Sequence, residues 1–325
     1  MAAFDATRLS RIGDWMQSYV DARKFAGSSV LLAHQGREVY YHDCGLRDTQ
    51  TGAPWQRDTV ARIYSMTKPV TSVALMMLAE KGLFHLDAPL SDFIPAFADM
   101  HCLVEGASSI DQTEPCATPT LHQLLTHTSG FSYGFNPGVL GAEMAAQHIE
   151  FRGTKLTLAQ MTDKLAALPL AFAPGSRWEY SVAIDVLGRV IEVITGKTLE
   201  QVFIEGIFDP LGMNETRFVV PQTAKDRFAA CYTPQAGNAF SVGKVDKGAD
   251  TLRPLDGSDK SPFLSDQIQS GGGGLVGTID DYLKFTEMMR TGGAGLIGPK
   301  TLDFMMRNHL GRDIASMGPT SFAEQ

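Results

Sequence analysis

Ser65 and Lys68 stand three residues apart in the stretch SMTKPV. On a helix that spacing stacks the two side chains on one face, within reach of each other. A serine hydroxyl is a poor nucleophile until a neighbouring base takes its proton. A lysine withdrawn from water gives up its own proton more readily and becomes a usable partner. At a helix start, unpaired N–H groups and the positive dipole end favour developing negative charge. Pro69 fits that placement, because its missing N–H is tolerated only near a first turn. The chemistry on offer is attack on an acyl group. The same pair also reads as a capping serine beside a surface lysine, so the rest of the chain must decide.

Two other motifs compete. GFSYG (Gly130–Gly134) has the spelling of a nucleophile elbow around Ser132. An elbow needs a buried strand before it and a helix directly after it. Here the helical spacing of Leu121, Leu124 and Leu125 precedes it, and the turn FNPG follows. Ser132 is therefore read as a loop residue. GGGLVG (Gly272–Gly277) spells a dinucleotide fingerprint, but polar SDQIQS stands where a strand is required. Asp280 and Asp281, the latter in a capping box with Thr278, would also repel a phosphate. These glycines are read as a place of close backbone approach.

The elements that must position such a site come next. Asp5 caps a helix with Leu9, Ile12, Trp15, Met16, Tyr19 and Val20 on one face, ended by Gly27. SSVLLA and EVYYHD form a hairpin across HQGR. TVARIYS leads as a strand-like run into a helix with Val70, Val73, Ala74, Met77 and Leu78, ended by Gly82. LHQLLTH, TLAQMTDKLAAL, SVAIDVLGRVIEVITG and TLEQVFIEGIF are helical patterns between turn-rich loops. Residues 232–265 are polar and expected at the surface. Two further helices follow SGGGGLVGT, and the last fifteen residues carry no strong pattern.

The chain has 325 residues, more than one hydrophobic core usually serves, so two domains are expected. With 44% hydrophobic and 20% charged residues it can pack as a globule. A net charge of -8 argues against a nucleic-acid backbone or an anionic membrane as partner. Cys44, Cys102, Cys116 and Cys231 show no C-x-x-C pairing and read as separate thiols. MAAFDATRLSRIGDWMQ carries charges where a signal peptide needs an apolar run. No stretch reaches the roughly 18 apolar residues of a membrane span. A soluble, cytoplasmic protein is expected.

The blocks SMTKPVTSVALMMLAEKGLFHLDAPLSDFIP, LLTHTSGFSYGF, FAPGSRWEYSVAIDVLGRVIEVITG, DPLGMNET and SGGGGLVGTIDDYLKF, taken in order, resemble the serine β-lactamase-like family. Within it the chain is most similar to the family VIII carboxylesterases, which are related to class C β-lactamases and DD-peptidases. The resemblance runs from about residue 10 to 310. It implies an α/β plus all-α fold, an antiparallel sheet flanked by helices with an inserted helical domain. Residues 1–80 and 265–325 are expected to form the α/β lobe, and 81–264 the mainly helical lobe. It further implies Ser65 as the acyl-accepting nucleophile, Lys68 as the partner lysine and Tyr180 in WEYSV as a base. Tyr133 is placed near the substrate cleft. The substrate is a small-molecule ester, with no metal or cofactor.

Two departures from the family pattern stand out. Val182 occupies the third position of Tyr180-Ser181-Val182, where lactamases and peptidases carry an asparagine. It offers no amide to a peptide-like substrate, which favours esters. The third family motif, on a strand after the last helices, is not found before Gln325, and HQG at His34–Gly36 sits in the early hairpin turn. The C-terminal strands of the sheet are thus expected to be missing. The alternatives kept open are a weak class C-like β-lactamase or DD-peptidase, and a non-catalytic ligand-binding member of the fold.

Overall fold

The computed structural model describes residues 4–234, 252–311 and 314. The chain forms α1 (Ala6–Asp21), the hairpin β1 (Gly27–His34) and β2 (Arg37–Asp48), the short strands β3 (Ala53–Pro54) and β4 (Ala61–Arg62), then α2 (Thr67–Glu80). A second hairpin, β5 (His101–Leu103) and β6 (Thr113–Pro115), precedes α3 (Leu121–Leu125), α4 (Val139–Ala146), α5 (Leu158–Ala166) and α6 (Ala183–Thr195). After α7 (Leu199–Phe203) a π turn leads to α8 (Asp209–Leu211). The strands β7 (Cys231–Pro234), β8 (Leu252–Asp256) and β9 (Val276–Gly277) precede α9 (Ile279–Arg290) and α10 (Pro299–Met305).

These elements divide into two compact units. The first comprises Met1–Arg62, Met213–Ser265 and Val276–Glu287. Its sheet is antiparallel in the order β1-β2-β3. Gln35 and Gly36 close the expected hairpin with φ of 52° and 76°, both left-handed, as a two-residue turn matched to strand twist demands. The α1 helix starts where expected, with Asp5 accepting from the Thr7 and Arg8 N–H groups. It packs on β2, and the Gly13 N–H donates to Tyr40 Oη at 3.1 Å. Trp15 corrects the expected face. It is 61% exposed, because the helix turns Gly13 inward beside the expected Met16.

The second unit comprises Ile63–Gly212, Asp266–Leu275 and Met288–Gln325. At its centre α2 packs on α6 and α7, while α6 also meets α3 and α5. Thr67, Lys68, Val70, Thr71, Val73, Ala74, Leu75, Met76 and Leu78 are all buried, so α2 is wrapped on nearly every side rather than along one stripe. Capping boxes at Thr120/Gln123, Thr157/Gln160 and Thr198/Gln201 start α3, α5 and α7.

The division expected at residues 80 and 264 falls elsewhere. The α2 helix groups with the other helices because they cover it. Residues 213–265 group with the strand-bearing unit. Part of the polar segment forms β7 and β8, which pair with each other, and its middle, 235–251, lies outside the described residues. The expectation for the last fifteen residues also falls mainly outside them. The helix α4 and the hairpin β5–β6 were not anticipated from the sequence.

Arg62 anchors the first unit. Its side chain is 2% exposed, and its Nε donates to Asp256 Oδ2 at 2.6 Å. Its Nη groups reach the Ala229 and Gly257 carbonyls, and its guanidinium lies 4.2 Å from the Phe228 ring centroid. Removing one partner of a buried ion pair leaves the other charge uncompensated. Asp256→Ala is therefore expected to lower stability by about 3 kcal/mol, read as a drop in the urea midpoint at unchanged m-value. An unchanged midpoint would contradict this role for the pair.

Candidate active site

Ser65 lies in a 3-10 turn, Tyr64–Met66, that runs without a break into α2. Tyr64 has φ of 41°, a left-handed conformation that costs a bulky residue about 1–3 kcal/mol. Such strain concentrates at functional sites. The turn leaves Ser65 exposed, while Lys68, one turn along, is buried. Pro69 sits in the first turn of α2, as its chemistry requires.

Around these two residues the side chains converge. Tyr180 Oη lies 2.6 Å from Ser65 Oγ. Lys68 Nζ lies 2.7 Å from the Gly272 carbonyl oxygen, 3.2 Å from Tyr133 Oη and 3.4 Å from Ser65 Oγ. Three acceptors thus face the three N–H donors of an ammonium. The same nitrogen stands 4.5 Å from the Tyr180 ring centroid. Ser65, Lys68, Tyr133 and Tyr180, each singled out in the sequence, form one cluster inside the second unit. Tyr133 stacks on Phe135, with ring centroids 4.7 Å apart. Burial, with help from Asp185 and Tyr180, pushes the Tyr133 phenol well above its usual range. It is a neutral hydrogen-bonding group, not a base.

Sequence reasoning missed what holds the lysine's carbonyl acceptor. Asp185, fully buried in the first turn of α6, accepts from Ser270 Oγ at 2.5 Å and from the Gly272 N–H at 2.9 Å. Burial pushes this carboxyl up from the ordinary range, and Lys68 and the two hydrogen bonds pull it back. A Cβ at residue 272 would stand 2.2 Å from Asp185 Oδ2 and would push that carboxyl aside. The signal was present in VAIDVLGRVI, a lone carboxylate inside an apolar helix. The glycine run serves close backbone approach, as expected. The Gly272 N–H that a phosphate would need is already engaged, and Asp280 is held by Arg57.

Ser132 is placed differently from Ser65. It is 1% exposed and hydrogen-bonds the Glu179 carboxylate, with Asn136 Nδ2 at 3.2 Å. Burial raises the Glu179 carboxyl above its ordinary value. The α3 helix ends before Ser132 and a turn follows it, so the elbow context is absent. Val182 is 1% exposed, packed at the start of α6. Among the described residues no strand follows α10, no cluster of His, Cys, Asp and Glu could hold a metal ion, and no helix is long and apolar enough to cross a membrane.

His127 packs against Tyr180, ring centroids 4.8 Å apart. Its Nδ1 lies 3.2 Å from the Ser181 N–H, so that nitrogen must be the acceptor and the ring neutral. Desolvation, aided by the Lys68 charge, lowers its pKa to about 3. The unfolded chain takes up this proton near pH 6.5, the folded one only near 3. Stability from this residue is therefore complete above about pH 6.5 and is lost as pH falls toward 3. In urea titrations at pH 7 and pH 5, the wild type is expected to lose at most about 2 kcal/mol more than His127→Asn. Equal losses would contradict the neutral ring.

Comparison with known proteins agrees with this architecture. The Beta-lactamase family model matches residues 12–321. Esterase EstB of Burkholderia gladioli is 33% identical over 328 residues, covering 98% of this chain and 78% of that protein. Lovastatin esterase of Penicillium rubens is 31% identical, covering 92% and 73%. The solved structure of EstCE1, described as a hydrolase with promiscuous acyltransferase activity, superposes with a TM-score of 0.73 at 30% identity, covering 90% and 75%. With a family match across nearly its whole length and esterases among its relatives, the chain belongs to the β-lactamase family and is related there to the family VIII esterases.

Proposed function

We propose that this serine hydrolase is a carboxylesterase that cleaves short-chain esters through an acyl-enzyme on Ser65. The observation that carries the reading is the 2.6 Å contact between Tyr180 Oη and Ser65 Oγ, with Lys68 Nζ beside both. In the resting geometry the phenol donates to the serine oxygen. For attack the proton must run the other way. Tyr180 must first release its own proton to solvent; the phenolate then accepts the Ser65 proton while the Lys68 ammonium balances the charge. Ser65 Oγ then bonds to the ester carbon, and a tetrahedral oxyanion forms. The oxyanion collapses, the C–O bond to the alcohol breaks, and Tyr180 returns the proton to the departing alkoxide. Water repeats the sequence on the acyl-enzyme and releases the acid. Tyr133, neutral and 3.2 Å from Lys68, lines the cleft and holds the ammonium in place.

Support comes from the relatives named esterases and from Val182. Its buried apolar side chain leaves no amide at the position that would grip a lactam or peptide. That favours ester over lactam turnover and sets the class C-like reading second. Wild-type protein is expected to hydrolyse p-nitrophenyl butyrate faster than nitrocefin. Ser65→Ala is expected to lose at least about 10³-fold in kcat/KM at unchanged thermal stability. Faster nitrocefin turnover would favour the lactamase reading, and a fully active Ser65→Ala would remove Ser65 from the chemistry.

A further inference from the structure

The reach of a tyrosine makes its backbone the lever for its oxygen. Oη stands at the far end of the side chain, so a small rotation of the flanking peptide becomes a large displacement at Ser65. That peptide, between Tyr180 and Ser181, is gripped on both edges. Asn136 Nδ2 donates to the Tyr180 carbonyl oxygen at 2.9 Å. On the opposite edge the Ser181 N–H donates to His127 Nδ1 at 3.2 Å. A third bond, from the Glu179 N–H to the His127 carbonyl at 2.9 Å, ties the preceding residue to the same loop. We propose that His127 and Asn136 form a two-sided clamp on the Tyr180–Ser181 peptide and act as positioning residues for the Tyr180 phenol. The inference rests on the reading of Tyr180 as the group that takes the Ser65 proton.

The polarity of each jaw is fixed. The Asn136 amide nitrogen faces three oxygens, those of Tyr180, Glu179 and Ser132. A flipped amide would set its own oxygen against a carbonyl and a carboxylate, neither of which donates. Among the described residues its Oδ1 is buried without a partner, an arrangement that costs stability. Such local costs are expected at functional sites. His127 adopts φ of 56°, a left-handed conformation that His and Asn accept better than most residues. That backbone state turns Nδ1 toward Ser181 while its ring lies against Tyr180. Both jaws belong to the loop between α3 and α4 that presents Tyr133, one near each end of it, so one segment sets both phenols.

The test uses the full chain with p-nitrophenyl butyrate as substrate and kcat taken per folded molecule. A fluorophosphonate probe, mapped by mass spectrometry, reports reaction at Ser65 independently of the ester chosen. Asn136→Ala and His127→Leu are each expected to lower kcat about 10- to 100-fold with little change in KM, the cost of misplacing a reacting group by about 1 Å. His127→Asn sets an oxygen near the former Nδ1 and keeps a residue that accepts the backbone. It is expected to hold kcat within about threefold of wild type. An unchanged kcat in Asn136→Ala and His127→Leu overturns the clamp, as does a His127→Asn no better than His127→Leu. Should either severe variant fail to fold, Asn136→Ser, with a donor too short to reach, is expected to lose kcat while His127→Asn keeps it. The reverse overturns the clamp. Wild-type protein with neither ester turnover nor a Ser65 adduct overturns the esterase reading, and the clamp with it. Normal wild-type activity with indifferent variants overturns the clamp alone.

Discussion

Lys68 carries its ammonium into a buried space, and a buried cation is tolerated only when its protons are satisfied. The second unit is arranged around that requirement. One proton meets the Gly272 carbonyl, one the Tyr133 oxygen and one the Ser65 hydroxyl. Each acceptor comes from a different part of the chain. The turn ahead of α2 supplies Ser65, the loop after α3 supplies Tyr133, and the glycine run supplies residue 272. Moving any of them leaves an N–H without a partner. The lysine therefore works as the joint that brings separate segments into register.

Behind the joint stands a second layer. Asp185 holds the Gly272 N–H and Ser270, so the carbonyl that Lys68 meets is fixed by a carboxyl from the first turn of α6. Five residues earlier, the same segment delivers Tyr180. The stretch from Trp178 to Asp185 thus governs both sides of the lysine, the phenol on Ser65 and the carbonyl on Nζ. Tyr133 and Tyr180 look alike in the sequence, yet their surroundings separate them. Tyr133 is kept neutral by burial and by Asp185, and Tyr180 is the one that touches Ser65. Pairs of similar groups held in different environments are how one site divides its roles.

What could be read in the sequence was local. The helix starting near Ser65 and the early hairpin across HQGR follow from spacings of a few residues, where the period of the chain decides. The rejection of Ser132 was also local, because an elbow demands particular neighbours on both sides. Tyr180 lies far along the chain from Ser65. Only the family resemblance, not any spacing, pointed to it. His127 and Asn136 were passed over because they grip a backbone peptide distant in sequence, to which no residue pattern points. Trp15 misled because helical spacing alone put it on the inward face, whereas the helix turns Gly13 inward. The pairs β5–β6 and β7–β8 are three to five residues long, too short for an alternating pattern to stand out.

On the proposed reading, Tyr180 takes the proton from Ser65 beside the Lys68 ammonium. The most direct measure of that transfer is the rate at which a fluorophosphonate modifies Ser65 in wild-type protein and in Tyr180→Phe, which keeps the ring and removes only the oxygen. The account predicts a single adduct on Ser65 in the wild type, formed at least about 10²-fold more slowly in Tyr180→Phe. Equal rates in the two proteins, or an adduct on Ser132, would contradict it.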